Sequence, residues 1–281
     1  MVKIMRLFLL TILLCCNALA ENVVIDDYKM RQNMNKGIDS LKKNNEIVDI
    51  NTLYKQLERK SCEVKLAPLA SSPLTTKQIF AKYKNSVLMV GRAYKCNRCP
   101  DWHTSIASGF IISEDGVAVT NYHVMQKSRG DAMAVMTLDQ KAYAIKEVIA
   151  ADKEADIAII RIGGKGFTPI PVSGDNGPGT KLTAITHPNG RYFTVTEGIV
   201  SRHYMQRKGK RNVQWMAITA DYAKGSSGGP IFNEKGEIAG MVSSTYSIYY
   251  NKENGIDKNL QMVIKNCVPS QSILKLIKKK K

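Results

Sequence analysis

Gly225-Ser226-Ser227-Gly228-Gly229-Pro230 sets a serine pair inside a run of glycines. Glycine before and after Ser227 lets the backbone take conformations that a side chain forbids, and it exposes the amides of Gly225 and Ser227 toward one point. Acyl transfer by serine needs such a turn: an accessible hydroxyl, a base to take its proton, and backbone donors aimed at the developing oxyanion. A GxSGG run by itself is equally an ordinary glycine-rich turn, so its meaning depends on what the rest of the chain supplies.

Two stretches upstream supply partners. Thr120-Asn121-Tyr122-His123-Val124 follows a strand-like run that begins at Val117, which places an imidazole just beyond a strand. Asp156-Ile157-Ala158-Ile159-Ile160 puts an acid at the mouth of an apolar strand. A partly buried carboxylate there needs either a hydrogen-bonded turn or a histidine to orient. Asp152, its rival, precedes Lys153 and Glu154 and has the character of a solvent-facing turn.

TNYHV, DIAII and GSSGGP, in the order His, Asp, Ser, resemble the trypsin-like proteases of chymotrypsin fold, and most of all the bacterial secreted branch related to the Deg proteases. Each motif is weak alone; the ordered set is strong. The similarity covers roughly residues 76 to 275, and no PDZ-like segment is expected after it, unlike in many Deg members. The resemblance implies an all-β domain of two six-stranded β-barrels with the site between them, His123 and Asp156 coming from the first and Ser227 from the second. It implies a serine endopeptidase acting on protein or peptide substrates through an acyl-enzyme. Ser227 is then the nucleophile, His123 the base and later the acid, Asp156 the group that holds its tautomer, and the Gly225 and Ser227 amides the oxyanion hole. No metal or organic cofactor is implied.

The match also has departures. Ser226 stands where digestive trypsin-like enzymes carry an Asp that pairs with a freshly cut amino terminus, so activation by that route is not expected. Six positions before Ser227 lies Asp221, where the resemblance puts the carboxylate at the floor of the trypsin specificity pocket, with Ser243-Ser244-Thr245 as the wall. The simpler reading makes Asp221 a turn residue that bonds its own backbone. Ala223 replaces the cysteine that braces this loop in digestive trypsins.

Around these motifs the chain from Val87 onward reads as short apolar runs between turn signals: Val87–Val90, Gly109–Ile112, Val117–Thr120, Ala132–Leu138, Ala142–Ile149, Ile157–Ile162, Leu182–Ile185, Phe193–Val200, Val213–Ile218, Ile238–Val242 and Leu260–Ile264. That is the pattern of an all-β domain. Ahead of it, residues 21–75 form a polar extension or propeptide with one helical pattern at Ile50, Leu53, Tyr54 and Leu57. Ser71-Ser72-Pro73 reads as a linker. Thr75 and Gln78 offer a capping box, with Leu74 and Ile79 as a hydrophobic staple. A closing helix is expected over Pro269–Ile277, with the proline in its first turn. The protease domain is thus placed at residues 76–281.

The first twenty residues have a basic start (Lys3, Arg6), an apolar run (Leu7–Leu14) and a small-residue exit at Ala18-Leu19-Ala20, the anatomy of a secretory signal peptide. The apolar run is short for a membrane span, so cleavage is expected to leave no stable anchor and a secreted or periplasmic protein. Cleavage removes two positive charges from a formal +17 and two of six cysteines. The remaining Cys62, Cys96, Cys99 and Cys267 are expected to be oxidised, most simply as Cys62–Cys267 and Cys96–Cys99. Zinc at Cys96, Cys99 and His103 is the competing reading, and it lacks an evident fourth ligand. The basic runs Arg202–Arg211 and Lys278–Lys281 read as solvated loop and tail.

Hydrophobic content of 44% with 23% charged residues excludes wholesale disorder and suits one globular domain with an extension. Two function classes compete with an active peptidase. A silent protease fold used as a binding module is opposed by the complete triad. A nucleic-acid or anionic-surface binder is opposed by the export signal and by the lack of aromatic residues interleaved with the basic runs, so no nucleic-acid partner is expected.

Overall fold

The computed structural model describes residues 22–96, 102–174 and 176–279; the expected signal peptide and Cys99 lie outside the described residues. The extension folds as helices α1 (Asp27–Lys43) and α2 (Ile50–Gln56) and a short strand β1 (Cys62–Val64). Helix α3 (Thr76–Tyr83) then leads into β2 (Val87–Lys95), β3 (Trp102–Ile111), β4 (Val117–Thr120), the single turn α4 (Tyr122–Met125), β5 (Ala132–Met136), β6 (Ala142–Asp152) and β7 (Ile157–Ile162). After them come β8 (Lys181–Thr186), β9 (Thr194–Lys208), β10 (Arg211–Ile218), β11 (Pro230–Phe232), β12 (Ile238–Glu253), β13 (Ile256–Pro269), α5 (Ser270–Leu274) and β14 (Ile277–Lys279). Two closed barrels result, one in the order β2-β3-β4-β7-β6-β5 and one in the order β10-β13-β12-β11-β8-β9. The expected all-β double barrel is the fold.

The apolar runs of the first barrel are continuous because both faces of its strands are covered. Leu88, Val90, Ile111 and Ile160 pack in one cluster with Ile50, Leu53 and Leu57 of α2 and its C-cap. Their neighbours Val87, Met89, Phe110 and Ile159 join a larger cluster that includes Met30, Met34, Ile38 and Leu41 of α1 and reaches Phe232 and Met241 of the second barrel. The extension is therefore part of the core. Burying a leucine such as Leu53 stabilises by roughly 1.5–3 kcal/mol.

The capping box of α3 forms as read: the Gln78 amide donates to Thr75 Oγ1 at 3.3 Å and the Thr75 amide to Gln78 Oε1 at 2.8 Å. Helix α1 had no counterpart in the sequence reading. Its apolar stripe is four residues in a helix of 17, with Asp26 as N-cap and Lys42 and Lys43 in the last turn.

The structure differs from three expectations about the C-terminal half of the chain. The basic run Arg202–Arg211 is a hairpin, turning at Gly209 with φ 58° and in register from Arg211↔Lys208 to Trp215↔Tyr204. Its side chains are largely exposed, but a two-stranded ribbon satisfies its backbone whatever its side chains are. The closing helix stops at Leu274, and Pro269 is its N-cap, not a first-turn residue. Ile277–Lys279, expected in part as tail, is a strand that pairs in parallel with Cys62–Val64.

The expected Cys62–Cys267 disulfide is absent. Both are free thiols: Cys62 Sγ lies 3.7 Å from the Leu276 carbonyl, and Cys267 Sγ lies 3.8 Å from Tyr222 Oη inside the second barrel. Burial pushes the Cys62 thiol up to about 11 and the Cys267 thiol up to about 12. Cys96 Sγ is 3.1 Å from His103 Nε2.

Candidate active site

His123 is the second residue of α4, two positions past the N-cap Asn121 that follows β4. Asn121 leaves the helix uncapped by its side chain and uses Nδ2 to donate to the Asp156 carbonyl at 3.0 Å, which ties α4 to the turn before β7. Asp156 is left-handed, φ 58°, a conformation that costs a non-glycine residue on the order of 1 kcal/mol or more. Three contacts hold it there: Asn121 on its carbonyl, the His123 amide on its carboxylate at 3.0 Å, and a turn closed by Asp152, whose Oδ1 accepts from the Ala155 amide at 3.0 Å. The result is a His123 Nδ1 to Asp156 Oδ2 contact of 2.9 Å. The carboxylate side chain is 14% exposed and the imidazole 41%, so the acid is shielded while the ring still faces solvent.

Asp152 acts as a brace. Its two oxygens take Arg211 of β10 in a fork, at 3.1 and 2.9 Å, across from one barrel to the other. Burial opposes ionisation of this acid, but the Ala155 amide and the Arg211 guanidinium outweigh it and hold the carboxyl below the ordinary range.

Ser227 lies on the loop between β10 and β11. Gly228 has φ 85°, and a Cβ there would come within 2.0 Å of the Ser108 carbonyl; Gly225 has φ 98°, and a Cβ there would come within 2.6 Å of the His187 carbonyl. Only glycine fits either place. Ser108 of β3 then grips the turn from the first barrel: its amide donates to the Ser227 carbonyl at 2.7 Å and its hydroxyl to the Gly225 carbonyl at 3.2 Å. Thr120 Oγ1 in turn donates to the Ser108 carbonyl at 2.8 Å. Ser226 points inward and donates to Thr186 Oγ1 at 3.0 Å.

The Ser227 hydroxyl donates to the Ser243 carbonyl at 3.3 Å, and the Ser243 hydroxyl donates to Asp156 Oδ2 at 2.6 Å. One residue thus connects the serine turn to the acid. His123, Asp156, Ser243 and Ser244 line a cleft of about 650 Å³, together with Trp215 and with Lys208 and Gly209 at the β9–β10 hairpin tip. Thr245 lies one residue further along β12, paired with Lys265.

Asp221, expected at the floor of a pocket, faces solvent. Its side chain is 83% exposed and its carboxylate lies 3.1 Å from Lys265 Nζ. Tyr222 takes the interior position, its buried hydroxyl lying between the carbonyls of Ser244 at 2.9 Å and Asn266 at 2.8 Å. Burial first of all pushes that phenol far above the ordinary tyrosine range, so the group behind the Ser243–Thr245 strand is bulky and neutral. Ser108, Asn121 and the Ser243 hydroxyl were not anticipated in these roles, since each acts through a contact between segments far apart in sequence.

Residues 107–241, which lie within the double barrel of chymotrypsin type, match the family model "Trypsin-like peptidase domain". The chain is similar to proteins described as DegP-like serine endoproteases. A "Probable periplasmic serine endoprotease DegP-like" of Marinomonas sp. (strain MWYL1) is 35% identical over 147 residues, 51% of this chain and 30% of that protein. The one from Brucella suis biovar 1 (strain 1330) is 34% identical over 176 residues, 61% of this chain and 33% of that protein. The chain's match thus spans about a third of the length of these curated relatives. Among solved structures, "HtrA-type protease AlgW with decapeptide" aligns over 72% of this chain and 66% of that one, with a TM-score of 0.57 and 19% identity, a likeness of fold.

Proposed function

We propose that this protein is an exported serine endopeptidase, with Ser227 as nucleophile, His123 as general base and then acid, and Asp156 as the group that fixes and stabilises the imidazole. The observation that carries this reading is the His123–Asp156 pair at 2.9 Å, joined through Ser243 to the Ser227 turn across the barrel junction. With Nδ1 engaged by the carboxylate, the proton sits on that nitrogen and Nε2 is left to accept from serine. Gly225 and Ser227 supply the oxyanion amides. Each peptide is planar and trans, so an amide points opposite the carbonyl before it. The Ser226 carbonyl is taken by the Gly229 amide at 2.9 Å and the Lys224 carbonyl by the Asn189 amide at 2.6 Å, which sets the direction of both donors.

The substrates are protein or peptide chains laid along Ser243 and Ser244, and the compartment is the periplasm or beyond, as the export signal and the names of the relatives support. Residues 1–20 are the signal peptide, 21–75 an extension and 76–281 the protease domain. The alternative, a silent binding module, separates in one experiment. Purified protein is treated with a serine-directed fluorophosphonate and assayed on casein beside Ser227→Ala. Labelling and casein cleavage in the wild type alone support the enzyme; an unlabelled wild type supports the module.

A further inference from the structure

We infer that helix α1 of the extension is a built-in positioning element for the oxyanion turn, acting through Asp27 and Arg31 on the loop from His187 to Phe193. This inference rests on the proposed serine chemistry and adds to it a purpose for the first helix.

The loop is strained along its length. Asn189, Gly190 and Phe193 all have positive φ, at 49°, 77° and 56°. Two of these are not glycine, so the conformation persists only where its surroundings over-determine it. His187 anchors one side: buried, it lies edge-on to Tyr192 and Phe193, its Nδ1 accepts from the Phe193 amide at 3.0 Å, and its Nε2 donates to the Leu88 carbonyl of β2 at 3.1 Å. The other side is held from α1. Asp27 Oδ1 accepts from the Tyr192 amide at 2.9 Å, and Arg31 Nε donates to Tyr192 Oη at 3.2 Å, with the guanidinium resting against Gly190.

What the loop delivers is the Asn189 amide. It donates to the Lys224 carbonyl at 2.6 Å, and that carbonyl shares its peptide plane with the Gly225 N–H. The His187 carbonyl lies so close to Gly225 that a Cβ would come within 2.6 Å of it. If the Tyr192 end of the loop lets go, Asn189 moves and the Lys224–Gly225 peptide is free to turn. The Gly225 N–H then no longer aims at the developing oxyanion. A donor that acts on charge formed only in the transition state affects turnover and leaves ground-state binding alone. Asp27 and Arg31 touch no substrate, so they are positioning residues.

The test compares wild type with Asp27→Ala, Asp27→Asn and Arg31→Ala, following the second-order rate of fluorophosphonate labelling at Ser227, kcat and KM on casein, and the thermal midpoint. Loss of one hydrogen bond to a charged group is worth about a tenfold change in rate. Asp27→Ala is therefore expected to label about tenfold more slowly, with kcat lowered, KM unchanged and the fold melting as the wild type does. Asp27→Asn keeps an acceptor oxygen and is expected to restore most of the rate. Arg31→Ala, on the exposed side of the helix, is expected to show a smaller loss of about threefold. Wild-type labelling rates in Asp27→Ala and Arg31→Ala overturn the inference and leave the serine chemistry standing. A KM change with kcat intact, or a loss that Asp27→Asn does not restore, also overturns it. A wild type that does not label sinks the serine chemistry and this inference together.

Discussion

Ser243 donates its hydroxyl to Asp156 Oδ2 at 2.6 Å while its carbonyl accepts from Ser227, so the second barrel reaches the acid of the first through a single residue. That carboxylate now has the His123 amide, the His123 ring and Ser243 as donors. Each donor removes a degree of freedom from the acid.

Ser243→Ala removes the donor to Asp156 and leaves the carbonyl that faces Ser227. Turnover of casein is expected to fall by about tenfold, the worth of one hydrogen bond to a charged group, with the fold unchanged. Wild-type turnover in the variant would show that the His123 contacts alone fix the acid.

Ser227→Ala and His123→Ala each remove a member of the proposed triad. Casein turnover is expected to fall by about 10⁴ to 10⁶, with circular dichroism and thermal midpoint preserved. A tenth of the activity surviving in either variant refutes its assigned role.

Asp221→Ser is expected to leave cleavage preference untouched, because the carboxylate points to solvent and to Lys265. Profiling wild type and variant on a peptide library checks this: a Lys or Arg preference lost in the variant would put the acid back into a specificity pocket.

Cys62 and Cys267 are expected to react with a thiol reagent in the denatured, unreduced protein. In the folded protein at pH 8, Cys267 is expected to stay inert, since its thiol is buried and pushed up to about 12. Mass mapping of the labelled peptides decides it, and a Cys62–Cys267 linked peptide contradicts the structure.

His187 makes stability depend on pH in one direction. Burial pushes its imidazole down to about 4 from an ordinary value near 6.5, so the unfolded chain binds a proton there before the folded chain does. The associated stability is complete above about pH 6.5, is lost as pH falls toward 4, and amounts to on the order of 3 kcal/mol. Denaturant unfolding from pH 7 to 4 of the wild type and His187→Gln, compared by difference, is expected to show this slope in the wild type alone.

The strand content of both barrels is legible in the sequence because apolar runs such as Ile157–Ile162 and Ala132–Met136 are buried on both faces and stand out from their turns. The capping box before α3 is legible because it is a contact between residues three apart. The outer arms of β9 and β12, past Val200 and Val242, are not: they are held by cross-strand backbone pairing and bury no apolar face, whereas Leu260–Ile264 of the arm facing β12 reads as a strand. Asn254-Gly255, with φ 50° and 79°, was the available signal that β12 and β13 meet in a tight turn. Helix α1 is not legible because Met30, Met34, Ile38 and Leu41 are spread thinly among Lys and Asn. The three motif positions were read from local sequence, whereas the clamp by Ser108 on the Ser227 turn and the free state of Cys62 and Cys267 depend on which distant segments meet.

The pairing of β1 with β14 has a consequence for how the molecule is made. Cys62 and Leu276, hydrogen-bonded through their backbones at 2.9 Å, stand 214 positions apart, so this contact closes a long loop and carries a large entropic cost. The segment that carries α1 and α2 is made before either barrel, yet the strand that fastens it is made after both. The β1–β14 pairing is available only after both barrels have been synthesised, and a chain cut short before Ile277 forfeits that fastening while keeping every residue of the proposed triad.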